Sequence, residues 1–429
     1  MITGTAHHPH PVSSPARRPR RRGSVDWQVV AAASTIMMVE GYDLGIYGML
    51  LPIMLSDPSI ALSTSAAGLA GSAAFIGMLL GGLAVGMLCA RYGQRRILIG
   101  GILLFSAAML AAAAAPNVLV LWITRLLAGC GLGVVMPICM AAVRASCSRV
   151  AIPLCFSLVT GGIPAGGALA ALASRAAALQ IGWRPLFGGG ALLGMVLLPV
   201  LGVVLRAGRS RGAEQPATSR TVPWRDLILP ALAGSLATFC FLLSFYGLMT
   251  WLTKLMTQLQ VPIAGAFQLT LLLNLGAVVG SGLTGLAATR FGPLPLTVIS
   301  GLVGAACLVL VPSRLVGAGT MIVVVVILGM ASPSPQNLVN ALVAEATEAP
   351  WRTGLLGFTL GVGRLGAVAA PVIGSHLLIS TVPGIGLTRA PGVVFLAFAT
   401  ASMGGVIAAC WLAALVARRH RAGTVNSPA

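Results

Sequence analysis

Residues 28–55 read QVVAAASTIMMVEGYDLGIYGMLLPIML. The run is 28 residues long and carries two carboxylates, Glu40 and Asp43. A helix needs about 20 mostly apolar residues to cross the hydrocarbon core of a bilayer, so this stretch reads as a membrane span. It follows Arg17-Arg18-Pro19-Arg20-Arg21-Arg22. It is too long for the apolar segment of a cleaved signal peptide and is expected to remain as the first span. No alternating strand pattern is present, and a helix satisfies every backbone group in lipid from within.

Eleven further runs of this kind follow: 66–89, 97–115, 118–143, 153–178, 185–206, 227–253, 263–289, 295–312, 316–343, 353–380 and 392–417. The longest polar interruption, residues 207–225, separates span 6 from span 7. The expected organisation is therefore a basic tail (1–26), a six-helix bundle (27–206), a linker (207–225), a second six-helix bundle (226–417) and a short tail (418–429). The fold class is all-α, polytopic, with twelve transmembrane helices.

Composition agrees with that count. The 429 residues are 57% hydrophobic and 8% charged, with a mean hydropathy of +0.96. A soluble protein carries about 25% charged residues, so this chain has too few to cover a water-facing surface. The net charge of +19 does not indicate nucleic acid, because 26 of the 27 basic residues are Arg and most lie in short clusters between apolar runs. Twenty fall in the tails and in the loops on the side of the termini. Five, Arg175, Arg184, Lys254, Arg314 and Arg389, fall on the other. The positive-inside rule then places both termini in the cytoplasm, and the expected location is the cytoplasmic (inner) cell membrane. All seven Trp lie near span ends, where interfacial anchors are expected. The eight Cys form no Cys-x-x-Cys pair, and no metal, cofactor or enzymatic constellation is legible.

Four ionisable residues lie deep in the spans: Glu40 and Asp43 in span 1, Arg125 in span 4 and Arg364 in span 11. Each costs at least about 2.5 kcal/mol to insert and is functional or paired as a rule. Glu40, Asp43 and Tyr47 follow i, i+3, i+7 and share one helical face. Gly41, Gly45 and Gly48 bring little bulk and allow close approach by a neighbouring helix. Two carboxylates one turn apart repel, so one of them is expected to take up and release a proton. Permanent neutralisation of both by Arg125 and Arg364 is the alternative. A guanidinium facing a cavity suits bidentate capture of a carboxylate, which makes Arg364 and Arg125 candidate substrate contacts. Pro333 and Pro335 interrupt span 10 beside Gln336 and Asn337, where freed backbone must be re-satisfied or face a cavity. Asn274 in span 8, with Phe245, Tyr246 and Trp251 in span 7, completes a candidate polar and aromatic lining; core packing is the alternative for these.

An internal repeat is visible as well. Span 2 ends in Gly86-x4-Arg91-Tyr92-Gly93, and span 8 in Gly285-x4-Arg290-Phe291-Gly292. Repeated halves around a midplane site are a frequent design of secondary transporters.

With these residues in view, the chain resembles the major facilitator superfamily and, within it, the aromatic acid:proton symporters. The resemblance rests on Glu40-Gly-Tyr-Asp43 in span 1, Arg125-x3-Gly129-x-Gly131-x-Gly133 in span 4 and Gly162-Ile-Pro164-Ala-Gly166 in span 5. Arg352-Thr-Gly354 and Gly361-Val-Gly363-Arg364-Leu-Gly366 complete it in span 11. It implies two six-helix bundles that rock around a central site and import an aromatic or related carboxylate with protons. Glu40 and Asp43 would couple the proton, Arg364 would meet the carboxylate, and Gly86, Arg91, Gly93, Arg95 and Arg352 would serve gating. Glu40 in place of the more usual Asp is similar to hydroxyphenylpropionate transporters. Departures are Ala90 and Thr289, where the superfamily carries acids in the loops after spans 2 and 8, and the sequence from Arg144 to Ile152-Pro153 after span 4. Each lost charge pair is expected to bias the conformational equilibrium on the scale of an allosteric coupling, about 1–3 kcal/mol.

The function expected is proton-coupled import of a small organic anion, an aromatic carboxylate, by a monomer that needs no cofactor and binds no nucleic acid. A drug:proton antiporter is one rival, because Gly162-Ile-Pro164-Ala-Gly166 also resembles an exporter motif. A non-transporting membrane sensor is the other.

Overall fold

The computed structural model describes residues 25–148, 151–208, 224–313, 317–346, 349–379 and 390–425. The basic N-terminal tail, most of the 207–225 linker, and Arg314 and Arg389 lie outside the described residues. Among the described residues twelve helices are long and apolar enough to span a membrane. They are Trp27–Ser56, Thr64–Tyr92, Gln94–Ala113, Val118–Ser146, Leu154–Ile181, Arg184–Leu205, Leu227–Gln258, Ile263–Phe291, Pro293–Leu310, Gly319–Glu345, Leu355–Ile379 and Pro391–Arg418. They are spans 1 to 12, and their bounds follow the apolar runs to within a few residues.

Burial and hydropathy part company most clearly in two spans. Span 1 has the lowest mean hydropathy, 1.3, and is 78% buried, whereas span 6 reaches 2.2 and is 28% buried. Leu83, Met87, Val196 and Ile407 are two-thirds exposed or more and form part of the apolar outer belt. With no hydrophobic drive between helices in lipid, close packing must hold the bundle.

The two halves pack alike. Span 1 lies on span 5, span 2 on span 4 and span 3 on span 6; span 7 lies on span 11, span 8 on span 10 and span 9 on span 12. The halves meet through spans 1 and 7, and through the reciprocal pairs 2 with 11 and 5 with 8. The sequence repeat sits at matching ends. Gly93 and Gly292 take φ of 83° and 81° and donate their N–H groups to Cys89 O and Ala288 O at 2.9 and 3.0 Å. A residue with a Cβ is strained in that conformation. Arg91 and Arg290 each lie over the ring of the next residue, at 5.3 and 5.6 Å.

Proline breaks two spans. Span 10 consists of Ala318–Ala331 and Ser334–Glu345, interrupted at Ser332 and Pro333. Ser334 Oγ turns back to Met330 O at 2.8 Å and re-satisfies a carbonyl at the break. Span 5 is interrupted between Thr160 and Gly162, one turn before Pro164, whose missing N–H leaves the preceding turn without its bond.

Two tryptophans near span ends pack inside the protein. Trp251 is fully buried with Nε1 donated to Pro371 O at 3.1 Å. Trp183 is 2% exposed and donates to Asp57 Oδ2 at 2.7 Å. Nearness to a span end does not tell which side of the helix an indole faces.

Candidate functional site

Span 1 is the axis of the site. A Cβ on Gly41 would collide with the Ile163 carbonyl, one on Gly45 would stand 3.0 Å from Gly167 Cα, and one on Gly48 would strike the backbone of Met249 and Thr250. Spans 5 and 7 therefore press on the glycine face of span 1. The acidic face turns toward spans 4 and 11. In span 4, Gly129 and Gly133 lie against the backbone of Ala74 and Met78, so span 2 comes close enough to enclose Arg125.

Arg125 Nη1 and Asp43 Oδ1 form an ion pair, with Arg125 1% and Asp43 0% exposed. The Arg125 guanidinium lies 4.8 Å from the centroid of the Tyr47 ring, and Tyr47 Oη donates to Ala67 O at 2.6 Å. Tyr47 thus braces the pair, and its hydroxyl is committed to backbone. Glu40, 1% exposed, makes no ion pair among the described residues, and its Oε2, like Asp43 Oδ2 and Arg125 Nε, is buried there with no hydrogen-bond partner. Arg364 lies within electrostatic reach of Glu40 and Tyr246. Its guanidinium makes no ion pair among the described residues; it donates to Met78 O at 3.5 Å and to Met136 Sδ at 3.3 Å. Both are neutral acceptors of the other bundle.

Aromatic groups flank this centre. Phe75 of span 2 and Tyr246 of span 7 approach to 4.7 Å across the bundle boundary, and Phe245 lies 5.1 Å from Tyr246. Asn274 is buried, with Nδ2 on Thr270 O at 2.9 Å and its side chain against Gly167, so it belongs to the contact of spans 5 and 8. Gln336 and Asn337 are half-buried in span 10; Gln336 Nε2 reaches Asn340 Oδ1 at 3.4 Å, while Gln336 Oε1 is buried without a partner among the described residues. Trp251, committed to Pro371, is not brought to the centre.

Several contacts seal the end away from the termini. Ser72 Oγ donates to Val368 O at 2.6 Å, and Gly68 and Gly48 lie against Ser375 and Met249 of the opposite bundle. Toward the termini, Gly86, Gly357 and Gly361 face open space, although Ser157 still approaches Gly285. Arg91, Gly93 and Arg95 are exposed there, and the side chain of Arg352 lies outside the described residues.

Residues 33–371 match the sequence model of the Major Facilitator Superfamily. The chain belongs to that superfamily. Among characterised members it is 33% identical over 359 residues to the gentisate transporter of Corynebacterium glutamicum, covering 80% of this chain and 79% of that one. It is 28% identical to the 3-(3-hydroxy-phenyl)propionate transporter of Escherichia coli, covering 84% and 89%. It therefore stands among the superfamily's aromatic acid transporters. The xylose transporter XylE of E. coli, in a partially occluded inward open conformation, shares the fold with a TM-score of 0.68 at 15% identity over 90% of this chain and 98% of that one.

Sequence reading picked out the charged centre of this superfamily member because charge in a span is conspicuous. It missed Met78, Met136 and Phe75, since apolar residues in apolar helices carry no local signal.

Proposed function

We propose that the chain imports an aromatic carboxylate together with a proton across the cytoplasmic membrane, with both termini inside. The observation that carries this reading is the unequal state of the two intramembrane arginines, Arg125 buried and Arg364 half-buried. Arg125 is paired with Asp43, whereas Arg364, among the described residues, donates to neutral acceptors and lies within electrostatic reach of Glu40. A site with one uncompensated guanidinium and a flanking aromatic pair suits an anion with a ring. Arg364 binds the carboxylate, Phe75 and Tyr246 border the ring, and the unpartnered Gln336 Oε1 accepts from a ring hydroxyl. The named cargoes of the relatives, gentisate and 3-(3-hydroxy-phenyl)propionate, have this chemistry. Glu40 carries the proton. Ionised and unpaired at this burial it would cost several kcal/mol, while Asp43 has Arg125 as counter-charge.

The test is uptake of a radiolabelled panel of aromatic and aliphatic carboxylates by expressing cells, with and without a protonophore. Accumulation of an aromatic acid that the protonophore abolishes is expected. Accumulation untouched by the protonophore removes the proton from the mechanism. One further observation favours a second reading, a sensor that does not transport: Arg91 and Arg290 stack on their own neighbours where the superfamily has loop acids beside them. Binding of an acid without any accumulation supports that reading.

A further inference from the structure

Resting on the reading of Arg364 as the carboxylate ligand, we propose that Met136 is a positioning residue that holds the Arg364 guanidinium in a neutral cradle until the substrate arrives. Arg364 belongs to span 11, but the groups that receive it belong to spans 2 and 4. Met136 Sδ lies 3.3 Å from Nη2, and Met78 O lies 3.5 Å from Nη1. A Cβ on Gly82 would stand 3.2 Å from Nη1 and 3.6 Å from Gly133 O, so the missing side chain at Gly82 leaves room for the guanidinium.

The chemistry of the acceptors decides what the cradle does. A carboxylate there would orient Arg364 but also cancel its charge and compete with the substrate, as Asp43 does at Arg125. A thioether is a weak, polarisable acceptor with no charge. It fixes the long side chain, which otherwise carries about 2 kcal/mol of rotamer entropy, and leaves the positive charge for the incoming anion. The Met78 contact is long at 3.5 Å and the thioether is a weak acceptor, so a bidentate carboxylate displaces both. Preorganisation of this kind acts on affinity.

Uptake kinetics of four Met136 and Gly82 variants test this, with radiolabelled gentisate, or whichever acid of the panel the cells accumulate, as probe. Protein amounts in the membrane are matched by immunoblot. Met136→Gln retains a neutral acceptor at similar reach, and its KM is expected to stay within about twofold of the parent. Met136→Leu retains the volume but no acceptor; its KM is expected to rise about three- to tenfold, the range one hydrogen bond covers, with Vmax unchanged. Gly82→Ala is expected to behave like Met136→Leu. Met136→Glu is expected to abolish saturable uptake. A packing role predicts the opposite order, with Leu tolerated and Gln impaired, and that order overturns the proposal. So does saturable uptake by Met136→Glu. Arg364→Ala separates the two levels. If it still binds and transports the acid, the reading of Arg364 as ligand fails. If it loses binding while Met136→Leu is unaffected, only the cradle fails.

Discussion

Asp43 and Arg125 are joined in a closed ion pair inside the N-terminal bundle, both at 1% exposure or less, with the Tyr47 ring against the guanidinium. One acid and one base of the four intramembrane charges thereby leave the pool available to cargo. Glu40 and Arg364 remain, and the predictions below follow from that division.

Removing one member of the pair strands the other. Arg125→Ala and Asp43→Asn are each expected to destabilise the protein by about 3–5 kcal/mol. The double variant Asp43→Asn/Arg125→Gln is expected to recover most of the loss. Thermal unfolding of the detergent-purified proteins measures this; an additive double variant contradicts a direct pair.

Glu40→Gln keeps shape and hydrogen bonding but cannot exchange a proton. Uptake by this variant is expected to lose its pH dependence and its ability to accumulate substrate against a gradient, while substrate exchange persists. Parental pH dependence in Glu40→Gln moves the proton to another group.

Arg364→Ala is expected to lose substrate binding, at least a hundredfold by the cost of leaving a bound carboxylate without its charge-assisted hydrogen bonds, about 3 kcal/mol or more. Arg364→Lys retains charge but not the planar fork and is expected to fall between. Binding to purified protein, measured by scintillation proximity, reports this without requiring transport.

Gly41→Val is expected to prevent assembly of the N-terminal bundle, because any Cβ at Gly41 meets the Ile163 carbonyl. Gly86→Ala, at a position with open space around it, is expected to leave folding unchanged. Yield of monodisperse protein after detergent extraction distinguishes the two.

Outside the membrane, Asp57 links the loop after span 1 to span 6. The Trp183 indole and the Ser59 contacts hold its carboxyl below the usual carboxylate range. A lowered value means that this contribution is complete above the unfolded group's pKa of about 3.9, and is lost as the pH falls through the folded one. Asp57→Asn is expected to cost about 1 kcal/mol at neutral pH. The difference from the parent is expected to vanish in acid, and unfolding midpoints measured across pH check the sign.

The twelve spans were legible because a membrane span announces itself locally. About 20 apolar residues in a row have one stable solution in lipid, whatever the rest of the chain does. The glycines of span 1 were legible for the same reason: a Gly-x3-Gly-x2-Gly face between Gly41 and Gly48 invites close packing, and spans 5 and 7 take it up. Sequence left Trp251 between cavity lining and core packing, and its burial was decided only by the fold, because position along a helix is local information and facing is not.

By itself, then, the sequence determined the span count, the internal repeat and the presence of four intramembrane charges, since the cost of each feature is set by the residue and its near neighbours. Only the tertiary structure decided that Asp43 takes Arg125, that Glu40 makes no ion pair among the described residues, and that Arg364 rests on Met136 and Met78. These partners lie 82 to 286 residues apart in the chain. Their meeting depends on the rotation and depth of each helix in the packed bundle, which hydropathy does not encode.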